Sequence, residues 1–385
     1  MRLSITRFGI RFSAGTLLLA SCLLTVVCVQ AVPGWGDAYA QHVYPPVART
    51  LSAFSRLVPF AVGDLFIALS ITGVLLYPVY ARRVRHRQWK RILLADVKYL
   101  LWVYVWFYAA WGLNYSQGDF YQRTRIPPSA YSPERFEAFA CRYIDSLNRA
   151  YALISDTDTL SAASVCRETV RAYRLMGGSL GIHRPFHPSP RAKTMLFTPL
   201  SSKVGVTGSM GPFFCEFTLN GDLPPLQYPA TYAHEFAHWL GITSEAEANF
   251  YAYQACIRSQ SRDIRFSGYF SLLPHVLSNA RRLMDEAAYT ALTGRIRTEI
   301  KELYARHRAY WTAKYSPLLG EVQDFIYDLY LKGNRIQSGR KNYSEVVGLL
   351  IAYEEWKNQL CAVYTSRIID GLNQIDSSKK RFSFK

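Results

Sequence analysis

The run Tyr232-Ala233-His234-Glu235-Phe236-Ala237-His238-Trp239-Leu240-Gly241 carries the residues best spaced for chemistry. On a helix, side chains four apart stand one above the other, so His234 and His238 reach toward one ion and Glu235 lies beside it. A Zn2+ ion held there acidifies water, and Glu235 can take the proton and pass it to a leaving amine. The residues between and around the histidines are apolar, as a buried metal helix requires. Two imidazoles with no ion would be costly to bury, which weighs against a surface helix carrying His and Glu by chance.

A zinc site needs a third protein ligand. In the metzincin pattern a His stands six residues past the second ligand; here that position is Ser244. Two carboxylates remain in Thr243-Ser244-Glu245-Ala246-Glu247-Ala248-Asn249. Ser244-x-x-Glu247 reads as a capping box, which gives Glu247 structural work at a helix start. Glu245 is then the favoured ligand, with Asn249 one turn later able to hydrogen-bond a ligating histidine and fix its tautomer. The opposite assignment, Glu247 as ligand and Glu245 as an exposed first-turn carboxylate, stays open.

The elements that position these groups begin in a membrane. The chain has 385 residues, half of them hydrophobic and 19% charged, which excludes a disordered protein and leaves ample length for a core. A net charge of +17 would suit a nucleic-acid binder only if the basic residues formed one surface. They flank apolar runs instead. Phe12 to Gly36 is uncharged, Leu57 to Ala81 contains only Asp64, and Tyr99 to Gly118 is uncharged, which predicts three transmembrane helices at about 12–33, 58–81 and 93–114. Arg2, Arg7 and Arg11 precede the first, and Arg82, Arg83, Arg85, Arg87, Lys90 and Arg91 crowd the loop before the third. By the positive-inside rule these are cytoplasmic, the loop over 37–57 is outside, and so is everything after Tyr115. The location implied is a bacterial cytoplasmic membrane, with partners in the bilayer and among peptides or proteins and none among nucleic acids. Ala38-Tyr39-Ala40 and Leu19-Ala20-Ser21-Cys22 leave signal-peptide and lipoprotein processing as alternatives for the first segment. Its apolar stretch is long for either.

Residues 1–115 thus read as a membrane region and 116–385 as one outer domain. Helices are expected over 136–152 and from about 160 to Gly177-Gly178, and again over 229–240, 245–259, 270–288, 293–311, 319–332 and 343–373. The intervening text is rich in Pro, Gly, Ser and Thr, with Met195-Leu196-Phe197 and Phe213-Phe214-Cys215-Glu216-Phe217 as short strands. The fold class is α+β and mostly helical. Cys141 and Cys166 can bridge the first two helices of the domain, or remain buried free thiols.

HEFAHWLGITSEAEANFYAY resembles the HExxHxxGxxxExEANFxAY signature of a bacterial membrane-anchored family of unknown function, grouped with the zincin metallopeptidases. The resemblance takes in Trp111-Gly112-Leu113-Asn114-Tyr115, Gly211-Pro212-Phe213-Phe214-Cys215-Glu216 with Asn220, and Asp328-Leu329-Tyr330-Leu331-Lys332-Gly333-Asn334. The ExxxN element is similar to the ExxxD of gluzincins, where the Glu is a ligand and the acidic residue orients a histidine; Asn249 replaces that Asp. The resemblance implies a zincin-like catalytic domain and proteolysis, and no substrate. In zincins an edge strand beside the metal helix pairs with substrate, and Phe213 to Leu219 is the nearest upstream run. Glu216 on it is either functional or an ion-pair partner. Tyr330 or Tyr343 can donate to an oxyanion, though with 27 tyrosines packing is the commoner role. His183, His187, His275 and His307 lack ligand spacing.

The function these residues imply is a membrane-anchored zinc metallohydrolase, most simply a peptidase. The competing class is a non-enzymatic scaffold with a structural or vestigial metal, which has no need of Glu235. An intramembrane protease is disfavoured by Asp222-Leu223-Pro224-Pro225 just before the metal helix.

Overall fold

A computed structural model describes residues 13–129, 131–154, 160–334 and 345–362. Three helices in it are long and apolar enough to cross a membrane, Ala14–Ala31, Val62–Arg83 and Trp89–Ala110. The second and third differ from the expected bounds. Lys90 and Arg91 join the first turn of Trp89–Ala110, since long basic side chains can reach back to a polar boundary. At its other end Trp111 leaves helical geometry and Gly112–Ser116 forms a tighter 3-10 turn.

That turn belongs to the outer core, as does most of the segment between the first two apolar helices. Trp35–Ala38, a π-turn over Tyr39–Val43 and Tyr44–Ser55 follow one another as nearly continuous helix. Tyr44 and Ala48 are fully buried in the same cluster as Phe236 and Trp239. Tyr44 donates to the carbonyl of Trp239 at 2.7 Å, and Gly36 sits so close to Ser116 that a Cβ there would lie 1.9 Å from its carbonyl oxygen. The core therefore crosses the expected boundary at residue 116. Charge-poor text over 37–57 reads as a loop by composition, but its aromatic and small residues are those of a packed element.

Helices carry nearly all of the rest. Pro133–Tyr151, Ala162–Met176, Glu245–Ile257 and Arg262–Leu283 start at Ser132, Ser161, Ser244 and Ser261, each accepting a backbone N–H three residues on. Three helices, Arg262–Leu283, Glu286–Gly294 and Thr298–Lys314, occupy the stretch expected as two over 270–288 and 293–311, because Asp285 caps an extra short helix and Gly294 ends it. Pro317–Gly333 follows, and a last helix spans 346–362, the remainder of the expected 343–373 lying outside the described residues.

The sheet has three strands: β1 (Lys193–Thr194), β2 (Gly208–Gly211) and β3 (Glu216–Leu219). β3 is central, parallel to β1 and antiparallel to β2. Both expected strands shift. Thr198–Lys203 follows Met195-Leu196-Phe197 as a short helix, and Cys215 takes a left-handed φ of 46°, so residues 212–215 are the hairpin turn rather than strand. β2, reading Gly-Ser-Met-Gly, lacks the β-branched signature and was not legible as a strand.

No disulfide joins the cysteines among the described residues, Cys166 resting against the carbonyl of Pro190 rather than bridging to Cys141.

Candidate metal centre

The helix Tyr228–Trp239 is buried along almost its whole length between Glu245–Ile257 and Arg262–Leu283. It ends at Leu240 because Gly241 takes φ +95°, a conformation that suits glycine, and a Cβ there would press on the Tyr44 ring. The reversal brings Glu245 back over the histidines. His234 Nε2, His238 Nε2 and a Glu245 carboxylate oxygen lie within 4.8 Å of one another, the one group of three such side chains among the described residues. Glu245 Oε2 is 3.1 Å from His234 Nε2 and 3.5 Å from His238 Nε2, and the two Nε2 atoms are 3.1 Å apart.

Each imidazole is oriented through its other nitrogen. His238 Nδ1 donates to the carbonyl of Ile242 at 2.6 Å, and His234 Nδ1 faces Asn249 Oδ1 at 2.9 Å. With both Nδ1 protons committed, the neutral rings turn bare Nε2 lone pairs toward each other and toward a carboxylate. Three acceptors so close repel one another unless a positive charge sits among them. This donor set fits a divalent metal of the zinc kind, with two imidazoles and one carboxylate. Where no ion is present a proton takes that place. Burial opposes the charged form of His238, but the Glu245 carboxylate overrides it and lifts the ring to about 9. Burial likewise opposes ionisation of Glu245, yet His238 and His234 hold its carboxyl well below the usual range.

Glu235 is buried, and among the described residues its Oε2 has no hydrogen-bond partner. Burial pushes its carboxyl up to about 6, against the pull of the two imidazoles. It packs under β2 so tightly that a Cβ on Gly208 would meet its Oε1 at 2.4 Å. Asn249 Nδ2 is likewise without a hydrogen-bond partner among the described residues. Both residues line a cavity of about 1100 Å³ that also exposes the histidines and Glu245. Its walls include Gly208 and Ser209 of β2, Phe107 and Trp111 at the end of the third apolar helix, and Tyr327 and Tyr330 opposite.

Glu247 points elsewhere. Its backbone N–H is capped by Ser244, but its carboxylate accepts from the N–H of Phe120 at 3.0 Å and pairs with Arg123 instead of reaching back to Ser244. So half of the capping box forms, and the carboxylate ties the outer core to the segment following the third apolar helix.

Glu216 and Asn220 do not join the cluster or line its cavity. Glu216 is buried in an ion pair with Lys193, Nζ to Oε2 2.6 Å, while its Oε1 accepts from the N–H of Gly63 at 2.6 Å. Lys193 also donates to the carbonyl of Ser55, so the pair fastens β1 and β3 to the start of the second apolar helix. Asn220 bonds Ser202, the carbonyl of Val206 and the N–H of Asp222, which holds the turn after β3. β3, flanked on both sides, has no free edge for substrate; β2 does, and it faces the cavity. Tyr330 lines the cavity with its hydroxyl on that of Tyr115 at 3.2 Å, and Tyr343 lies outside the described residues. His275 and His307 also reach the cavity wall, His307 beside Gln227 at 2.9 Å.

Two positioning residues escaped the sequence reading. Tyr327 donates to Glu245 Oε1 at 2.5 Å, and Trp111 Nε1 donates to the carbonyl of His238 at 3.0 Å. The stretches Trp111–Tyr115 and Asp328–Asn334 flagged both neighbourhoods, but no local spacing joins residues 82 and 127 positions apart. A family model described as a protein of unknown function, DUF3810, matches residues 39–351. The chain belongs to the DUF3810 family. The match takes in the helical segment before the second apolar helix and runs to the last described helix, so the DUF3810 unit includes the second and third apolar helices and the His/Glu cluster, while Ala14–Ala31 precedes it. No curated protein and no solved structure matches the chain.

Proposed function

We propose that this protein is a membrane-anchored, zinc-dependent metallohydrolase, most simply a peptidase with a zincin-like site, acting outside the cytoplasm. The observation that carries the reading is Glu235: a buried carboxylate with a free oxygen, beside a two-histidine, one-carboxylate cluster, in a cavity bordered by an unpaired strand edge. A structural metal site has no use for such a group.

His234, His238 and Glu245 would hold the ion. When bound, it supplies a Lewis acid that acidifies water and polarises a carbonyl. The chain's residues do the rest. β2 offers backbone groups to an extended peptide, which lays the scissile bond across the cavity. Glu235, desolvated and near neutrality in its proton affinity, accepts a proton from the attacking water and returns it to the amine as the C–N bond breaks. Tyr327 holds Glu245 in place, and Asn249 and the Ile242 carbonyl hold the rings.

Metal analysis of the purified full chain tests the site directly. Wild type should carry about one zinc per chain, and His234→Ala should lose most of it, because an incomplete cage binds weakly. Equal metal in both would remove the cluster from the proposal. The compartment is tested separately: the basic loop between the second and third apolar helices puts the C-terminus outside, so reporter fusions at Lys385 should be active only for an exported tag. Activity of a cytoplasmic reporter would reverse the orientation.

A further inference from the structure

Helix Pro317–Gly333 turns an apolar side outward. Leu318, Val322, Phe325, Ile326 and Leu329 follow the helical repeat and form one stripe. All five are exposed, Leu318 at 73% and Phe325 at 68%. The buried side carries Gly320 and Leu331, and a third face presents Tyr327 and Tyr330 to the metal cavity. A contiguous stripe of this kind is uncommon on a surface that meets only water.

We propose that this stripe rests in the interface of the bilayer that holds the three apolar helices. The argument is one of continuity. Tyr108, in the last turn of the helix Trp89–Ala110, donates to Asn334 Oδ1 at 2.9 Å, and the Phe107 and Tyr330 rings are 6.1 Å apart. The end of Pro317–Gly333 is therefore fixed where the third apolar helix leaves the hydrocarbon. The β2–β3 hairpin tip stands at the same level: Trp106 Nε1 donates to the carbonyl of Phe213 at 3.0 Å, and Phe213 and Phe214 both pack on Phe66 in the first turns of Val62–Arg83. Glu321 and Lys332, exposed beside the stripe, suit the headgroup layer that borders an interfacial helix.

The contact with lipid stands whether or not the cluster is catalytic. Joined to the hydrolase reading, on which this step rests, it names a substrate class. The cavity wall is shared by Phe107 of an apolar helix and by the tyrosines of the interfacial one, so a substrate enters at the bilayer surface. The substrate is then a polypeptide segment lying on, or emerging from, the outer leaflet.

The test needs no activity. The photo-crosslinker p-benzoylphenylalanine replaces Leu318 or Phe325 in the full chain, with Glu302, exposed on helix Thr298–Lys314, as the control. Each protein is reconstituted in phosphatidylethanolamine–phosphatidylglycerol bilayers and irradiated, and lipid adducts are counted by mass spectrometry. Positions 318 and 325 should give at least about fivefold more lipid adduct than 302, as expected of an immersed apolar face against a solvated helix. Adducts at 318 and 325 to a second chain, or lipid adducts no more frequent than at 302, would overturn the proposal. Lipid adducts with no hydrolysis of any peptide would leave the bilayer contact standing and count only against the substrate class.

Discussion

Glu235→Gln should keep its zinc and its fold and lose turnover by on the order of 100-fold to 10,000-fold. The substitution is nearly isosteric, and Glu235 does not belong to the cluster of three convergent ligand atoms. The amide cannot take a proton from water at any working pH, so the proton transfer is lost while the cage remains. Gly208 leaves no room beside Glu235 for anything larger, which makes Gln the right probe and longer side chains poor ones. Substrate discovery comes first, from peptide libraries presented with bilayers and from comparison of exported proteins in cells carrying wild type or Glu235→Gln. Unchanged cleavage in the mutant would take Glu235 out of the mechanism, and absence of metal-dependent cleavage by wild type across broad libraries would favour a binding or scaffold role.

What the sequence made legible was local. The spacing of His234 and His238 within one helix, the reversal at Gly241 and the start of the next helix at Ser244 are all short-range consequences of residue type, and they put Glu245 beside the histidines in the structure. The apolar runs were legible for the same reason, since length and lack of charge are read along the chain. What was hidden depends on residues far apart. Tyr327 reaches Glu245 across 82 positions, and Tyr44 reaches Trp239 across 195. Glu216, which the sequence left as either functional or an ion-pair partner, makes the pair. Its true partners, Lys193 and Gly63, come from β1 and from an apolar helix more than a hundred residues upstream. A buried Lys–Glu pair is weak evidence of stabilisation, yet it specifies how the sheet seats on the apolar helices, because a shifted seating would bury both charges unpaired. β2 was missed because its strand character comes from its neighbour β3 and not from its own glycines.

The sharpest test of ligand choice compares Glu245 with Glu247, two residues apart on one turn and both buried. Glu245→Ala should lose most bound zinc. Removing its carboxylate opens one side of the cage, leaves two Nε2 atoms facing each other at 3.1 Å, and removes an acceptor of the Tyr327 hydroxyl. Glu247→Ala should keep the metal ligands and cost stability instead. Its carboxylate satisfies the Phe120 N–H and neutralises Arg123, whose side chain is mostly buried, so deleting it costs about 3 kcal/mol, in the range for breaking a buried pair from one side. That exceeds what a helix cap alone contributes, on the order of 1 kcal/mol. Arg123 keeps the carbonyls of Gly118 and Gly181, which limits the loss. Glu247→Gln is the safer companion, since its amide oxygen still accepts from Phe120 while the charge is gone. Zinc content and denaturation midpoints of the three variants, measured on protein purified alongside wild type, separate the roles. If Glu245→Ala retains zinc while Glu247→Gln releases it, the ligand assignment is reversed, and with it the account of why Glu247 faces Arg123.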